Sequence, residues 1–186
     1  MRYVGIDPST RTGLVILDED GQVVVQKEIT GIGKVDPKRM GTLIQDLVKH
    51  VKKDDVIAIE GFSYGSKGQG QSVQYGLGTS IRIALWARKY DYLEIAPSQL
   101  KKFATGKGNA AKAAMIKPIK DNWGFSSSSD NITDAFVLAK IAYAVRNPEQ
   151  AQNLLDYQAA VVDAVLNPTP KKAKPKKSKS KKKASA

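Results

Sequence analysis

With 186 residues, 41% of them apolar, the chain has the material for one domain with a real hydrophobic core. It contains no Cys, which excludes disulfides, zinc-thiolate centres and thiol nucleophiles. The net charge of +12 is concentrated at one end: residues 167–186 hold nine Lys and no acid, and setting those nine aside leaves 21 Lys+Arg against 18 Asp+Glu, a net +3, for residues 1–166.

A basic tail on a nearly balanced body suits a polyanion, most simply nucleic acid. No basic region precedes an apolar run at the N-terminus, so no signal peptide is expected. No apolar run approaches the roughly 20 residues that span a bilayer. A cytoplasmic protein is the default expectation.

Tyr3-Val4-Gly5-Ile6 reads as a short buried strand that ends on a carboxylate, Asp7. Pro8 to Gly13 break the ladder, and Leu14 to Leu17 resume it. Asp20-Gly21 then joins that strand to a third, Gln22–Ile29, as a hairpin. Gly31 to Lys34 form a loop, and Asp36-Pro37 starts a helix with Pro in its first turn. Met40, Leu43, Ile44, Leu47, Val48 and Val51 give that helix an apolar face. Val56-Ile57-Ala58-Ile59 is a continuous apolar strand suited to burial on both faces, and it too ends on a carboxylate, Glu60.

Phe62 to Gln71 make a polar, Gly-rich loop. A long helix over Ser72–Tyr90 follows, with Leu77, Ile81 and Leu85 on one side and Gly76 and Gly78 open to a close neighbour. Asp91–Ala96 is a further strand, stopped by Pro97. Next come a short basic helix capped by Ser98, a Gly-rich basic loop over Thr105–Asn109 and a helix over Ala110–Trp123. Asp130 opens the last core helix, whose apolar face runs through Ala135, Leu138, Ala139, Ile141 and Ala142, and residues 149–166 form another helix. The remainder, rich in Lys, Ala, Ser and Pro, cannot build a core and is expected to be disordered. The order predicts an α/β domain over residues 1–166 with a mixed sheet, followed by the tail 167–186.

Two apolar strands ending on acids place Asp7 and Glu60 side by side if the strands are neighbours. Asp130 and Asp134, four apart, share a helical face. Four acids without Cys, in a chain with one His, suit Mg²⁺ or Mn²⁺ rather than zinc. Two such ions about 3.5–4 Å apart can clamp an in-line phosphoryl displacement. Each acid also has a plainer use. Asp7 can cap its turn through the Ser9 or Thr10 amides, Asp130 can cap a helix after four serines, and Asp134 gains from the helix dipole. Glu60 has the weakest plain use, and His50 reads as a solvated helix residue without a role.

Gly5-Ile6-Asp7-Pro8-Ser9, Ala58-Ile59-Glu60 and Asp134-Ala135 at the head of an apolar helix, in that order, resemble the RuvC family of Holliday junction resolvases. The likeness extends over about residues 1–145, and phage members of the family resemble the chain most. It implies the RNase H-like fold, with a five-stranded mixed sheet flanked by helices. Two Mg²⁺ (or Mn²⁺) ions held by Asp7, Glu60, Asp134 and a fourth ligand are implied as well. The bacterial pattern has Asp or His three residues before the final Asp. That position is Asn131 here, and Asp130 is the nearer acid, so Asp130 is the candidate fourth ligand and Asn131 the weaker one. Lys112 resembles the family's active-site basic residue.

Lys101, Lys102, Lys107 and Lys112 surround a Gly-rich turn and are candidate phosphate contacts, joined by Lys67 in the loop after Glu60. By resemblance that loop enters the junction, where Phe62 or Tyr64 stacks on a base; for Phe62 packing in the core is the alternative. The resemblance further implies a homodimer through the Ser72–Tyr90 helix, with Gly76, Leu77, Gly78, Ile81 and Leu85 at the contact. The expected activity is paired symmetric nicking of four-way junctions, with flaps or forks as further substrates. The expected place is the cytoplasm, that of the host if the chain is phage-encoded, at the nucleoid. A non-catalytic branched-DNA-binding protein on the same fold is the alternative. A sugar-kinase-like ATPase fragment is less favoured, because such proteins duplicate the domain and this chain has no internal repeat.

Overall fold

The computed structural model describes residues 1–62 and 70–168, so Tyr64, Lys67 and the Lys-rich segment fall outside the described residues. Five strands form one sheet: β1 (Tyr3–Asp7), β2 (Thr12–Leu17), β3 (Val23–Ile29), β4 (Val56–Glu60) and β5 (Tyr92–Ile95), in the order β3-β2-β1-β4-β5. The pairs β1–β2 and β2–β3 are antiparallel, whereas β1–β4 and β4–β5 are parallel. This is the mixed α/β sheet expected from the chain order, with β1 at its centre.

Because side chains alternate across a strand, the sheet sorts its residues onto two cores. Val4, Ile6, Leu14, Ile16, Ile57 and Ile59 face one side, beneath helices α1 (Lys38–His50) and α2 (Gln71–Ala87). Tyr3, Val15, Leu17, Ala58 and Ile95 face the other, beneath α3 (Pro97–Thr105), α4 (Ala113–Trp123), α5 (Asp130–Arg146) and α6 (Asp156–Leu166). Each fully buried Leu or Ile contributes about 1.5–3 kcal/mol, so both faces are needed for stability.

α5 lies almost directly on the backbone of β1 and β2. A Cβ on Gly5 would meet the Ala135 carbonyl oxygen at 1.9 Å and the Ala139 nitrogen at 2.6 Å. A Cβ on Gly13 would meet the Asn131 carbonyl oxygen at 2.0 Å. The two glycines thus set how deep α5 sits, and with it the height of Asp134 above the sheet.

Several local expectations are corrected. Leu77, Ile81 and Leu85 are buried in the chain's own core, so they cannot serve as dimer contacts. Gly78 admits no neighbouring backbone: its nearest atom is Cε1 of the Phe62 ring, 2.8 Å from where a Cβ would be; Gly76, by contrast, has open space beside it, with Met40 Cε at 3.8 Å its nearest neighbour among the described residues. α3 starts at Pro97, where the Gln99 side chain, not Ser98, accepts the Ala96 N–H. α4 starts at Ala113 after a run of tight turns that leaves Lys112 at its mouth. The single helix expected over 149–166 is broken into a 3₁₀ segment, Pro148–Asn153, and α6. The break is stabilised where Gln158 folds back to accept the Leu155 N–H and Leu154 packs on the core.

Candidate active site

The C-terminal ends of β1 and β4 meet the N-terminal half of α5. Ile6 pairs with Ile59 across the parallel β1–β4 ladder, so Asp7 and Glu60 leave the sheet together. Asp134 comes from above, one residue before the Ala135 that rests on Gly5. Asp7 is only 6% exposed and Asp134 only 9%.

The electrostatics follow from that crowding. Burial pushes the Asp7 carboxyl well above its ordinary range, and the nearby Glu60 and Asp134 push it further. Glu60 is also raised: burial and the Asp134 charge outweigh the lowering from its hydrogen bond with Asp7 and from Lys112 and Lys101. Asp134 is raised by burial despite the opposing Lys112 ammonium. Lys112 Nζ lies 3.5 Å from Oδ2 of Asp134 and 3.5 Å from Oδ2 of Asp130. Burial draws the Lys112 ammonium down, but Asp134, Asp130 and Asp7 together leave it raised and charged. Ser129, not Asp130, caps α5 by accepting the Ile132 N–H, which leaves the exposed Asp130 carboxylate to face Lys112.

Among the described residues no three His, Cys, Asp or Glu side chains are drawn together as a ready-made ion site. Lys112, with Lys101 further off, offsets only part of the charge of the cluster. The donor set nevertheless fits a hard divalent cation. It consists of carboxylate oxygens alone, buried where their mutual repulsion demands positive charge.

The remaining sequence candidates fall on α3 and the loop beyond it, just after β4 and in the first turn of α5. Lys101, half-buried on α3, is close enough to Glu60 and Asp134 to lower both. Lys102 is half-buried at the end of α3, and Lys107 is exposed in the loop beyond it. Phe62 packs within the chain: the Arg82 guanidinium lies 4.3 Å from its ring centroid, and the Tyr75 ring lies 5.3 Å away. Asn131 turns its amide toward the Glu28 carboxylate at 3.3 Å.

Sequence reasoning missed three residues here. Arg82 of α2 donates to the Glu60 carbonyl oxygen at 2.9 Å, to the Gly78 carbonyl at 3.0 Å and to the Glu94 carboxylate at 3.0 Å, and so ties the end of β4 to α2 and β5. Glu28 at the end of β3 accepts from Arg11, Ser129 and Asn131. The signal for Arg82 was a lone cation between Ile81 and Ile83. For Glu28 and Arg11 the sequence held none, because their partners lie on other elements.

No protein-family model matches the chain. A crossover junction endodeoxyribonuclease RuvC from Campylobacter concisus is 30% identical over 150 residues, which are 75% of this chain and 94% of that protein. The chain belongs to the RuvC family. A second RuvC, from Sulfurovum sp., is 31% identical over 75% of this chain and 92% of its own length. Among solved structures, T. thermophilus RuvC in complex with a Holliday junction substrate superposes with a TM-score of 0.63 at 17% identity, covering 81% of this chain and 96% of that one. That likeness shows the RuvC, RNase H-like fold. A further Thermus thermophilus RuvC structure gives a TM-score of 0.60 at 19% identity, over 78% of this chain and 96% of that one.

Proposed function

We propose that this RuvC-family protein is a metal-dependent endonuclease that resolves four-way DNA junctions, and related branched DNA, by paired symmetric nicks. The observation that carries the reading is the convergence of buried Asp7 and Asp134 and half-buried Glu60 at one sheet edge, with Lys112 the cation beside them. Asp7, Glu60 and Asp134 would hold Mg²⁺ or Mn²⁺, two ions per site, with Asp130 as the fourth ligand. Asn131 is set aside because its amide is committed to Glu28. Bound there, the ions supply the Lewis acidity that an in-line displacement at phosphorus requires.

The chain's own residues do the rest. The end of β4, and hence Glu60, is fixed through its carbonyl by Arg82. The Lys112 ammonium, held between Asp130 and Asp134, is placed to neutralise charge that builds on the phosphoryl group. Lys67, Lys101, Lys102 and Lys107 contact phosphates, and Tyr64 stacks on a base at the branch, with Phe62 anchoring the root of that loop. No helix among the described residues is long and apolar enough to cross a membrane, in keeping with action on DNA in the cytoplasm.

Labelled four-way junctions, flaps and duplex, incubated with and without Mg²⁺, test the reading. Symmetric cuts in the junction that need the metal support it. Tight junction binding without cleavage in Mg²⁺ or Mn²⁺ leaves a binding protein instead.

Two symmetric nicks need two sites, and a closed pair related by a two-fold axis is the commonest solution. The dimer face we assign is the outward stripe of α2, where Ile83 is 57% exposed and Trp86 75%. They stand three apart and share a face. Trp86→Glu is expected to raise the dimer dissociation constant at least roughly a hundredfold, the scale of one interface hot spot. Light scattering at micromolar concentration should then give a monomer that no longer makes paired cuts; a persistent dimer rules this face out.

Residues 169–186 act as a nonspecific DNA arm in this reading. Truncation after Pro168 removes nine Lys and no acid. The slope of log affinity against log salt should become shallower by roughly 0.9 for each phosphate that the truncated protein no longer neutralises, while single-turnover cleavage of bound junction stays nearly unchanged. An unchanged salt slope argues against the arm.

A further inference from the structure

Beside the acid cluster lies an open groove of about 590 Å³, whose walls include Arg11, Glu28, Lys112, Ser127, Ser129 and Asp130. One of these residues, Glu28, ends a cross-strand row that starts at Asp7. Asp7 on β1 pairs with Gly13 on β2, and Gly13 pairs with Glu28 on β3. Directly opposed residues point to the same face, so Glu28 stands on the α5 side of the sheet, roughly 10 Å from Asp7.

Glu28 divides its two oxygens between two tasks. One, Oε1, accepts from the Ser129 hydroxyl, itself the cap of α5, and from the Asn131 amide at 3.3 Å. The other, Oε2, accepts from Arg11 Nε at 2.9 Å and from Nη2. Arginine carries five N–H donors, so this grip occupies two and leaves the rest of the fork for a ligand. The Arg11 side chain is 68% exposed, whereas Glu28 is 16% exposed. Arg11 sits in the turn that follows Asp7, and that turn is itself fixed: Ser9 Oγ accepts the Arg11 N–H at 3.2 Å, and the Thr12 hydroxyl donates to the Ser9 carbonyl at 2.7 Å.

An exposed surface ion pair gains little by itself. A guanidinium held by a less exposed carboxylate, with donors left over and on the wall of a groove that reaches Lys112, is instead an oriented anion receptor. Bidentate capture of a phosphodiester is what such a fork does well.

We propose that Arg11 is a DNA phosphate contact next to the reacting centre, oriented by Glu28, and that Glu28 is a positioning residue which locks this contact to the N-terminus of α5. The inference deepens the reading of the protein as a junction nuclease and rests on it. A phosphodiester bound at Arg11 would be registered, through Glu28 and Ser129, to the helix that carries Asp130 and Asp134. Asp130 shares the groove, and its charge is answered by Lys112 at 3.5 Å.

Fluorescence anisotropy with a labelled four-way junction and a matched duplex, at several salt concentrations and without divalent ions, tests this apart from cleavage. For Arg11→Gln the log–log salt slope should fall by about 0.9, and affinity for both DNAs should fall roughly tenfold, the scale of one charge-assisted hydrogen bond. Arg11→Lys keeps the charge without the fork and should retain the slope while recovering only part of the affinity. Glu28→Gln removes a negative charge near DNA. A carboxylate that merely repelled phosphate would give tighter binding when neutralised; one that orients Arg11 gives weaker binding with the slope kept. An unchanged slope and affinity in Arg11→Gln, with a melting temperature like wild type, overturns the contact. Equal or tighter binding by Glu28→Gln overturns the orienting role. Wild-type protein that does not prefer the junction to duplex overturns the function itself, and this inference with it; normal wild-type preference alongside an inert Arg11→Gln overturns this inference alone.

Discussion

Asp7→Asn, Glu60→Gln and Asp134→Asn are each expected to lower single-turnover cleavage of a bound junction by more than about a thousandfold, the scale of removing several kcal/mol of transition-state charge stabilisation. Junction affinity should stay within a few-fold of wild type, because phosphate contacts are distributed over many Lys and Arg side chains. Substantial metal-dependent cutting by all three variants would sink the site assignment. The same substitutions have a second, independent readout in metal-free protein. Burial and the neighbouring Glu60 and Asp134 raise the Asp7 carboxyl above its ordinary 3.8. Between that ordinary value and the raised native one, the folded chain binds more protons than the unfolded chain. The contribution of Asp7 to stability is therefore present at low pH and is lost as pH rises through the native value. In EDTA at pH 7, Asp7→Asn should melt higher than wild type and lose part of the pH dependence. An Asp7→Asn variant that melts lower in EDTA would mean the carboxylate is stabilised by partners other than those seen.

What could be read from the sequence was whatever lies along one strand or one helix. Two apolar runs ending on Asp7 and Glu60, and an i, i+4 acid pair at the head of an apolar helix, are local patterns, and the fold brings them to one sheet edge. The antiparallel pairing of β2 with β3 followed from the hairpin signal at Asp20-Gly21, whereas the adjacency of β1 and β4 is set by the sheet itself. Features set by contacts between distant elements were not legible. Leu77, Ile81 and Leu85 are an apolar stripe that could serve a partner or the chain's own sheet, and periodicity is the same for both; only the burial of that stripe decides. Ile83 and Trp86, lying off the stripe, were hidden by the same ambiguity. Phe62 could be read as a base-stacking ring because nothing in its neighbourhood in sequence announces Arg82, twenty residues on. Asp130 and Asn131 could not be separated by spacing, since both offsets fall on one helical face; that Asn131 donates its amide nitrogen to Glu28 while Asp130 faces Lys112 is set by elements distant in sequence.

The glycines of β1 and β2 are the strongest link between fold and chemistry, and Gly5→Ala tests it. The added Cβ would lie 1.9 Å from the Ala135 carbonyl oxygen, 2.6 Å from the Ala139 nitrogen and 3.0 Å from the Ala135 carbonyl carbon. All three are backbone atoms of α5, so no side chain can rotate away, and relief requires the helix to lift from the sheet. Lifting α5 opens the core beneath Ala135, Ala139 and Ala142, which are fully buried. Overpacking of this kind costs about 3 kcal/mol or more. For a chain of this size that corresponds to a melting temperature lower by roughly 6–12 °C. Activity should fall further than stability explains, because Asp134 is the residue before Ala135 and rises with it, away from Asp7 and Glu60. Cleavage measured well below the melting temperature of the variant, where the chain is folded, isolates that second effect. Gly13→Ala presses on the Asn131 carbonyl at 2.0 Å, nearer the start of α5, and should shift Asp130 and the Glu28 anchor in the same way. If Gly5→Ala melts within about 2 °C of wild type and cuts at the wild-type rate, α5 is not seated on β1 as described, and the height of Asp134 is set elsewhere.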